Sequence, residues 1–378
     1  MALATFLVNK GHNVLVGEKN SLLRAMLFGK YPPGVILDKC AQIVNHKKFD
    51  YLLKKGFLYT VLDEEGLITE MDYFLEKRFN KKAEKYISAN FVTGEFQMEH
   101  ILRKYPNAKN ILSGNPRYSM LNNEWDYWFK NEINTIREIY GKFIFVVSSF
   151  NPYPKAYDNA LPGMKKIDEY YKSVTSKFLK SNLQINNKII FRPHPSDIPF
   201  KLKGLITETN FNIIPWIKCS EYVINAKCTT SLEAYIAKKN SYTWKINTKN
   251  FAYKLANLFA DDIDKTNVTN KFHKRFWKDK VLDKILHGKN LPFESFNIIT
   301  REIDKLSFKT DGLPRSVFGL DFILDLKNLL FYFIRGDNYT RVKQKFKKND
   351  LDLTIKKLKS LNIDFKITGK VIHLIPPK

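Results

Sequence analysis

Short apolar runs alternate along the chain with stretches in which apolar positions recur every three or four residues. This switching between a strand-like and a helix-like period predicts repeated βα units and parallel sheets. The strand candidates fall into two series. The first holds Asn13–Gly17, Gly34–Leu37, Phe57–Leu62, Tyr86–Val92 and Asn110–Leu112. The second holds Lys142–Val147, Ile189–Phe191, Phe211–Ile214, Tyr222–Asn225 and Ser241–Trp244. Between them, Ser113-Gly114-Asn115-Pro116-Arg117 reads as a turn before one long helical stretch, so two similar α/β halves are expected. Ala2–Lys10 reads as an amphipathic helix running into Gly11-His12-Asn13-Val14. A helix stands there where a strand would be expected, and the first sheet is expected to be one element short. Toward the other end, Phe318–Ile334 reads as an apolar, partly amphipathic helix, followed by the basic run Arg341–Lys348 and a small finishing unit, Leu361–Ile375. That helix could pack across both halves or rest on a lipid surface.

Length adds domain count to this picture: 378 residues suggest about two or three domains. With 44% apolar residues and 29 Phe there is ample material for cores. No apolar stretch reaches the roughly 18 residues of a spanning helix; the nearest, Val317–Ile334, is broken by Asp321, Asp325 and Lys327. The three cysteines, Cys40, Cys219 and Cys228, are far apart and lack metal-ligand spacing, which suits a reducing cytoplasm. Met1-Ala2-Leu3-Ala4 lacks the basic start and cleavage site of a signal peptide. A cytoplasmic protein is the expectation.

The net charge of +25 changes the choice of partner. Its clusters (Lys47-Lys48, Lys54-Lys55, Lys81-Lys82, His273-Lys274-Arg275, Lys343–Lys348) are scattered and carry neither an RNP1 motif nor paired zinc ligands, so nucleic acid is not the expected partner. Anionic membrane lipid or an acidic glycan acceptor fits better, beside the plainer account of a solvated basic surface.

Chemistry concentrates in a few segments. Phe191-Arg192-Pro193-His194-Pro195 follows an apolar strand pattern, which puts Arg192 and His194 at its carboxyl end, where open α/β sheets place ligands. The two prolines hold His194 extended beside an arginine, an arrangement suited to phosphate as well as to an ordinary turn. Asp63-Glu64-Glu65-Gly66 follows the strand Phe57–Leu62. One of its carboxylates could deprotonate an acceptor hydroxyl, its pKa raised by crowding, or the segment could be a solvated acidic turn. In Asn225-Ala226-Lys227-Cys228-Thr229-Thr230-Ser231-Leu232-Glu233, a strand runs through a hydroxyl-rich turn into a helix. Thr229, Thr230 and Ser231 can form an anion pocket or simply cap that helix, and Glu233 can accept from ribose hydroxyls or complement the dipole. Ser148-Ser149-Phe150-Asn151, after the first strand of the second series, could line the same cleft.

In their order, Asp-Glu-Glu-Gly, Gly-Asn-Pro-Arg, Arg-Pro-His-Pro and Asn-x-x-Cys-Thr-Thr-Ser-x-Glu-Ala resemble the bacterial surface-carbohydrate biosynthesis proteins, which are GT-B glycosyltransferases, and the wider set of CMP-sugar transferases of the Kdo and sialic acid type. The resemblance spans roughly residues 11–245 and implies an α/β fold with two Rossmann-like domains facing across a cleft. An acceptor-side domain would cover 1–118, a nucleotide-sugar domain 119–300 and a helical, basic extension 301–378. It implies Asp63 or Glu64 as the base and His194 as the residue meeting the donor phosphate. Arg192, Pro195, Ser148, Ser149, Thr229, Thr230 and Ser231 would be nucleotide contacts, and Glu233 would hold the ribose. It implies no cofactor beyond the CMP-sugar substrate and no metal, because one departing phosphate can be offset by His194, Arg192 and the helix dipole. The partners implied are a nucleotide-sugar donor and an anionic glycan or lipid-linked acceptor at the cytoplasmic face of the inner membrane. The doubled acid Glu64-Glu65 and the missing first strand depart from the pattern, and they keep two other classes in view. One is a CDP-glycerol or CDP-ribitol polyol-phosphate transferase, for which no second His-containing motif is seen; the other is a non-catalytic GT-B scaffold.

Overall fold

A computed structural model describes residues 1–39, 46–63, 75, 79, 81–148, 188–193, 206–226, 229–243, 258–263, 271–288, 291–306, 348–368 and 371–377. The described strands, in chain order, are β1 (Val14–Gly17), β2 (Val35–Asp38), β3 (Leu58–Leu62), β4 (Ala89–Val92), β5 (Asn110–Leu112), β6 (Phe143–Ser148), β7 (Lys188–Pro193), β8 (Ile206–Thr207), β9 (Val223–Ala226), β10 (Ser241–Thr243), β11 (Asp261–Asp262), β12 (Asp364–Thr368) and β13 (Val371–Ile375).

They form three sheets. The first is four-stranded, β2-β3-β4-β5, parallel throughout. The second is six-stranded and also parallel, in the order β11-β10-β9-β6-β7-β8. Counted from β6, the chain winds outward to β8, then crosses back to β9 and winds the other way, which is the doubly wound Rossmann order. Continuous apolar runs such as Phe143–Val147 suit strands covered by helices on both faces, and Phe143, Ile144, Phe145 and Val146 are all buried. The chain is thus an α/β protein with two parallel sheets, the second in the doubly wound order.

The third sheet differs from expectation. Asn13–Gly17 was read as the opening strand of the first half, but β1 pairs antiparallel with β13, and β13 pairs antiparallel with β12. The hydrophobic period identifies a strand without identifying its partner. The finishing unit is therefore a hairpin docked on the amino-terminal segment, with the helix Lys348–Ser360 packed beside it, and the extension is not wholly helical. The helix Ala2–Asn9 forms where expected and serves two neighbours. Ala4 and Val8 pack with Leu358, Ile372 and Leu374 of this unit, while Leu7 packs with Ala89 and Phe91 of the first sheet and Ile299 and Ile303 of the helix Glu294–Leu306.

Two further readings are corrected. Phe211–Ile214 is not a strand: Asn212 accepts from the Ile214 amide at 3.0 Å and opens the helix Ile213–Cys219, whose Pro215 is tolerated because it sits in the first turn. The apolar run buries Trp216 against Phe145, stacked at 6.0 Å, and against the edge of Phe143. Tyr86–Val92 divides into the end of the helix Lys81–Tyr86 and the strand β4. The stretch Phe318–Ile334 lies outside the described residues. Among the described residues no helix is long and apolar enough to cross a membrane.

Candidate functional site

The second sheet reverses direction between β6 and β9. Ser148, the last residue of β6, is in register with Pro193 on one side and with Ala226 on the other. The carboxyl ends of β7, β6 and β9 are therefore level at the switch point, the crevice in which doubly wound sheets bind ligands. The side chain of Ser148 lies outside the described residues, as do Ser149, His194, Pro195 and Glu64; Ser149 and His194 are each one residue beyond these level ends in sequence.

Past β9, Thr229 occupies the cap position of the helix Thr230–Ile236. Its carbonyl accepts from Leu232 and Glu233 amides at 3.0 and 3.2 Å, while its hydroxyl makes no capping hydrogen bond. Capping, the plain explanation for a threonine at this place, is thus not the use the fold makes of it. Thr230 and Ser231 are buried. Glu233 is only 1% exposed. Its Oε1 accepts from Arg117 Nε at 3.0 Å and pairs with Arg117 Nη2 at 2.8 Å, whereas Oε2 is buried with no hydrogen-bond partner. Leaving such an atom unmet costs about 1–3 kcal/mol, so it is a ready acceptor for a ligand hydroxyl. Asn225, on β9 itself, repeats the situation: its Nδ2 donates to Ser241 Oγ at 2.7 Å and its Oδ1 is buried without a partner.

Arg117 ties this turn to the first sheet. It lies in the short helix Pro116–Ser119, capped by Asn115, whose Oδ1 accepts from the Arg117 amide at 3.0 Å. The Nδ2 of the same asparagine donates to the Asp63 carbonyl at 3.1 Å. Asp63, 4% exposed, follows β3 at the carboxyl edge of the first sheet. A continuous path thus runs from Asp63 through Asn115 and Arg117 to Glu233, joining three of the four motifs read in the sequence. In the sequence Asn115 and Arg117 stand in a turn and in the Gly-Asn-Pro-Arg motif, with no site role of their own. Their signal was present all the same, as an asparagine before a proline at the first helical position.

Arg192 is placed at the level end of β7, but its guanidinium turns aside. Nη1 donates to the Asn210 carbonyl at 2.8 Å and Nη2 to the Phe211 carbonyl at 2.7 Å. It anchors a turn in which Phe211 adopts a positive φ of 61°, and so builds the wall beside β7.

A segment that sequence reasoning passed over closes the first edge. The helix Phe276–Ile285 starts against the second half, where Tyr235 donates to the Arg275 carbonyl at 3.2 Å. It ends on the first, where the His287 amide donates to the Thr93 carbonyl at 2.9 Å. A Cβ at Gly94 would stand 2.3 Å from the Ile285 carbonyl carbon, and one at Gly114, where φ is +71°, 2.4 Å from the His287 oxygen. Only glycine permits such backbone approaches.

No family model matches the chain, and no curated protein matches it either. Among solved structures, the UDP-GlcNAc 2-epimerase of Methanocaldococcus jannaschii in complex with UDP-GlcNAc and UDP is similar with a TM-score of 0.46 and 14% identity, over 76% of this chain and 79% of that one. The wall teichoic acid polymerase TagF follows at 0.43 and 13%, over 72% of each chain. The Neisseria meningitidis UDP-GlcNAc 2-epimerase bound to UDP-GlcNAc gives 0.43 and 11%, over 76% of this chain and 80% of its own. At these scores the likenesses lend the chain neither an activity nor a ligand.

Proposed function

We propose that the chain is a glycosyltransferase that moves a Kdo or other nonulosonate sugar from a CMP-activated donor to a hydroxyl of a surface polysaccharide or lipid-linked acceptor, at the cytoplasmic face of the inner membrane. The observation that supports this reading is the level ending of β7, β6 and β9 at the switch point, beyond which the sequence of each strand continues into a polar motif. In this reading residues 1–118 form the acceptor side, 119–300 the donor side and 301–378 an extension.

Each residue then has a task. Glu233 takes a ribose hydroxyl on Oε2 while Arg117 holds Oε1. Thr229, Thr230, Ser231, Ser148, Ser149 and Pro195 line the nucleotide, and Arg192 supplies positive charge from its anchored place. The bond from the anomeric carbon to the phosphate oxygen breaks, CMP departs with the electron pair, and His194 meets its phosphate. The acceptor oxygen bonds the anomeric carbon and gives its proton to Asp63 or Glu64. One leaving phosphate is a load that cationic side chains and hydroxyls can bear, so no metal is assigned.

Release of CMP from CMP-Kdo, another CMP-nonulosonate and CDP-glycerol, each incubated with the protein and an acceptor extract, tests the reading. Turnover of a CMP-sugar, abolished in His194→Ala together with CMP affinity, is the expected result. Reaction with CDP-glycerol alone, or with none of the three, sinks it.

A further inference from the structure

We propose that the start of the helix Phe276–Ile285 is a docking surface for an anionic lipid bilayer. Helices of this kind normally hide their aromatic residues, but here the inward positions go to Lys278, Leu282 and Ile285. Lys278 reaches in to the Phe259 carbonyl at 3.1 Å. The outward face opens instead with Phe276, 73% exposed, and Trp277, 46% exposed. They stand side by side among exposed cations. The Lys280 ammonium lies 4.7 Å from the centre of the Phe276 ring; Lys274, exposed two residues before Phe276, pairs with the half-buried Asp279 at 3.5 Å, and Lys284 is exposed one turn after Lys280, beside the exposed Asp283.

This combination selects its partner. A large apolar pair in water is costly unless something covers it, and a protein partner of ordinary composition would gain little from the surrounding lysines. At a bilayer both halves are used: Phe and Trp settle at the boundary of headgroups and acyl chains, and lysines meet lipid phosphates at about 1 kcal/mol each. The chain's net charge of +25 pulls the same way. The position in the fold gives the docking a use. The far end of the same helix abuts the first sheet at Gly94, and His287 just beyond it at Gly114, on the edge that carries Asp63. A bilayer held at Phe276 and Trp277 would thus stand beside the helix that borders the acceptor side. This inference deepens the lipid-linked acceptor of the reading above and rests on that reading only for its purpose; vesicle binding is scored without any donor, so either can fail alone.

Flotation of the full chain with vesicles of phosphatidylcholine, with and without phosphatidylglycerol, provides the test. Binding to the phosphatidylglycerol vesicles is expected, with tryptophan emission moving to the blue. It should weaken roughly tenfold or more in Phe276→Ser/Trp277→Ser and in Lys274→Glu/Lys280→Glu. Both variants change exposed side chains, and their unfolding curves should overlay the unsubstituted protein. Equal binding by the aromatic variant and the unsubstituted protein overturns the proposal, as does absence of binding. Heparin binding that survives the aromatic substitutions, without vesicle binding, would assign the surface to soluble polyanions instead.

Discussion

At the carboxyl edge of the first sheet, the turns after β4 and β5 are pressed against backbone from the Ile285–His287 segment, closely enough that neither Gly94 nor Gly114 has room for a methyl group. At the carboxyl edge of the second sheet, Asn225 near the end of β9 and Glu233 in the first turn of the following helix instead hold an amide oxygen and a carboxylate oxygen that are buried and unpartnered. Both edges are the carboxyl ends of parallel strands, so local chemistry alone does not separate them. What separates them, among the described residues, is whether another segment comes back against the strand ends. The first edge is an abutment built of main chain, and the second keeps hydrogen-bonding capacity in reserve, which is the condition for binding a ligand. The bridge from Asp63 to Glu233 sets one against the other.

The largest expected effect breaks the abutment. Gly94→Ala should cost about 3 kcal/mol, because a Cβ 2.3 Å from main-chain atoms cannot be relieved by turning a side chain. Denaturant unfolding would read this loss. A cost below about 1 kcal/mol would mean that the Ile285–His287 chain yields freely and that the two edges are alike.

Glu233→Gln should act on the other edge, raising the Kd for CMP about tenfold while leaving the fold largely intact. Combined with Arg117→Ala in a double-mutant cycle, it should show a coupling of about 2 kcal/mol in unfolding experiments, since one partner is buried and the other is 43% exposed. Unchanged CMP affinity in Glu233→Gln would remove the reserve oxygen from the nucleotide site.

The smallest effect concerns what stands behind each edge. The first sheet leans on the helix Ala2–Asn9, which the third sheet also holds. In that sheet burial, and then the nearby Lys366, lower the pKa of His373. A lowered histidine pKa means stability that is complete above the ordinary value near 6.5 and lost as pH falls through the depressed value. Hydrogen exchange in β13 should therefore speed up on acidification while exchange in β6 does not, and His373→Asn should blunt the difference. The ring is only part-buried, so water offsets much of the penalty. Equal acceleration in both strands would show that acid does not distinguish the two halves.

Strand positions were legible because they depend on local apolar runs: β2, β3, β5, β6, β7, β9 and β10 fall within a residue or two of their expected places. The errors share one cause. Phe211–Ile214 is as apolar as a strand, and only Asn212 as a cap and Pro215 in a first turn make it helical. Local placement was legible too: Asp63 directly follows a strand, and Thr229, Thr230, Ser231 and Glu233 fall at the cap and first turn of the helix after β9, as the strand-turn-helix pattern predicts. Unread were the partners. Nothing local tells that Arg192 will spend its guanidinium on the Asn210 and Phe211 carbonyls, or that Arg117 will reach Glu233 across 116 residues.

By itself the sequence determined the α/β class, the two halves and the residue types available at each strand end, because periodicity and turn chemistry act over a few neighbours. Tertiary structure alone decided that main chain would press against the first edge, that Glu233 Oε2 and Asn225 Oδ1 would be buried without partners near the second, and that β1 would join a strand from the far end of the chain. Those outcomes depend on contacts between segments far apart in the chain, such as His287 against Gly114 and Val14 against Leu374, and no local pattern encodes a contact whose other half lies elsewhere.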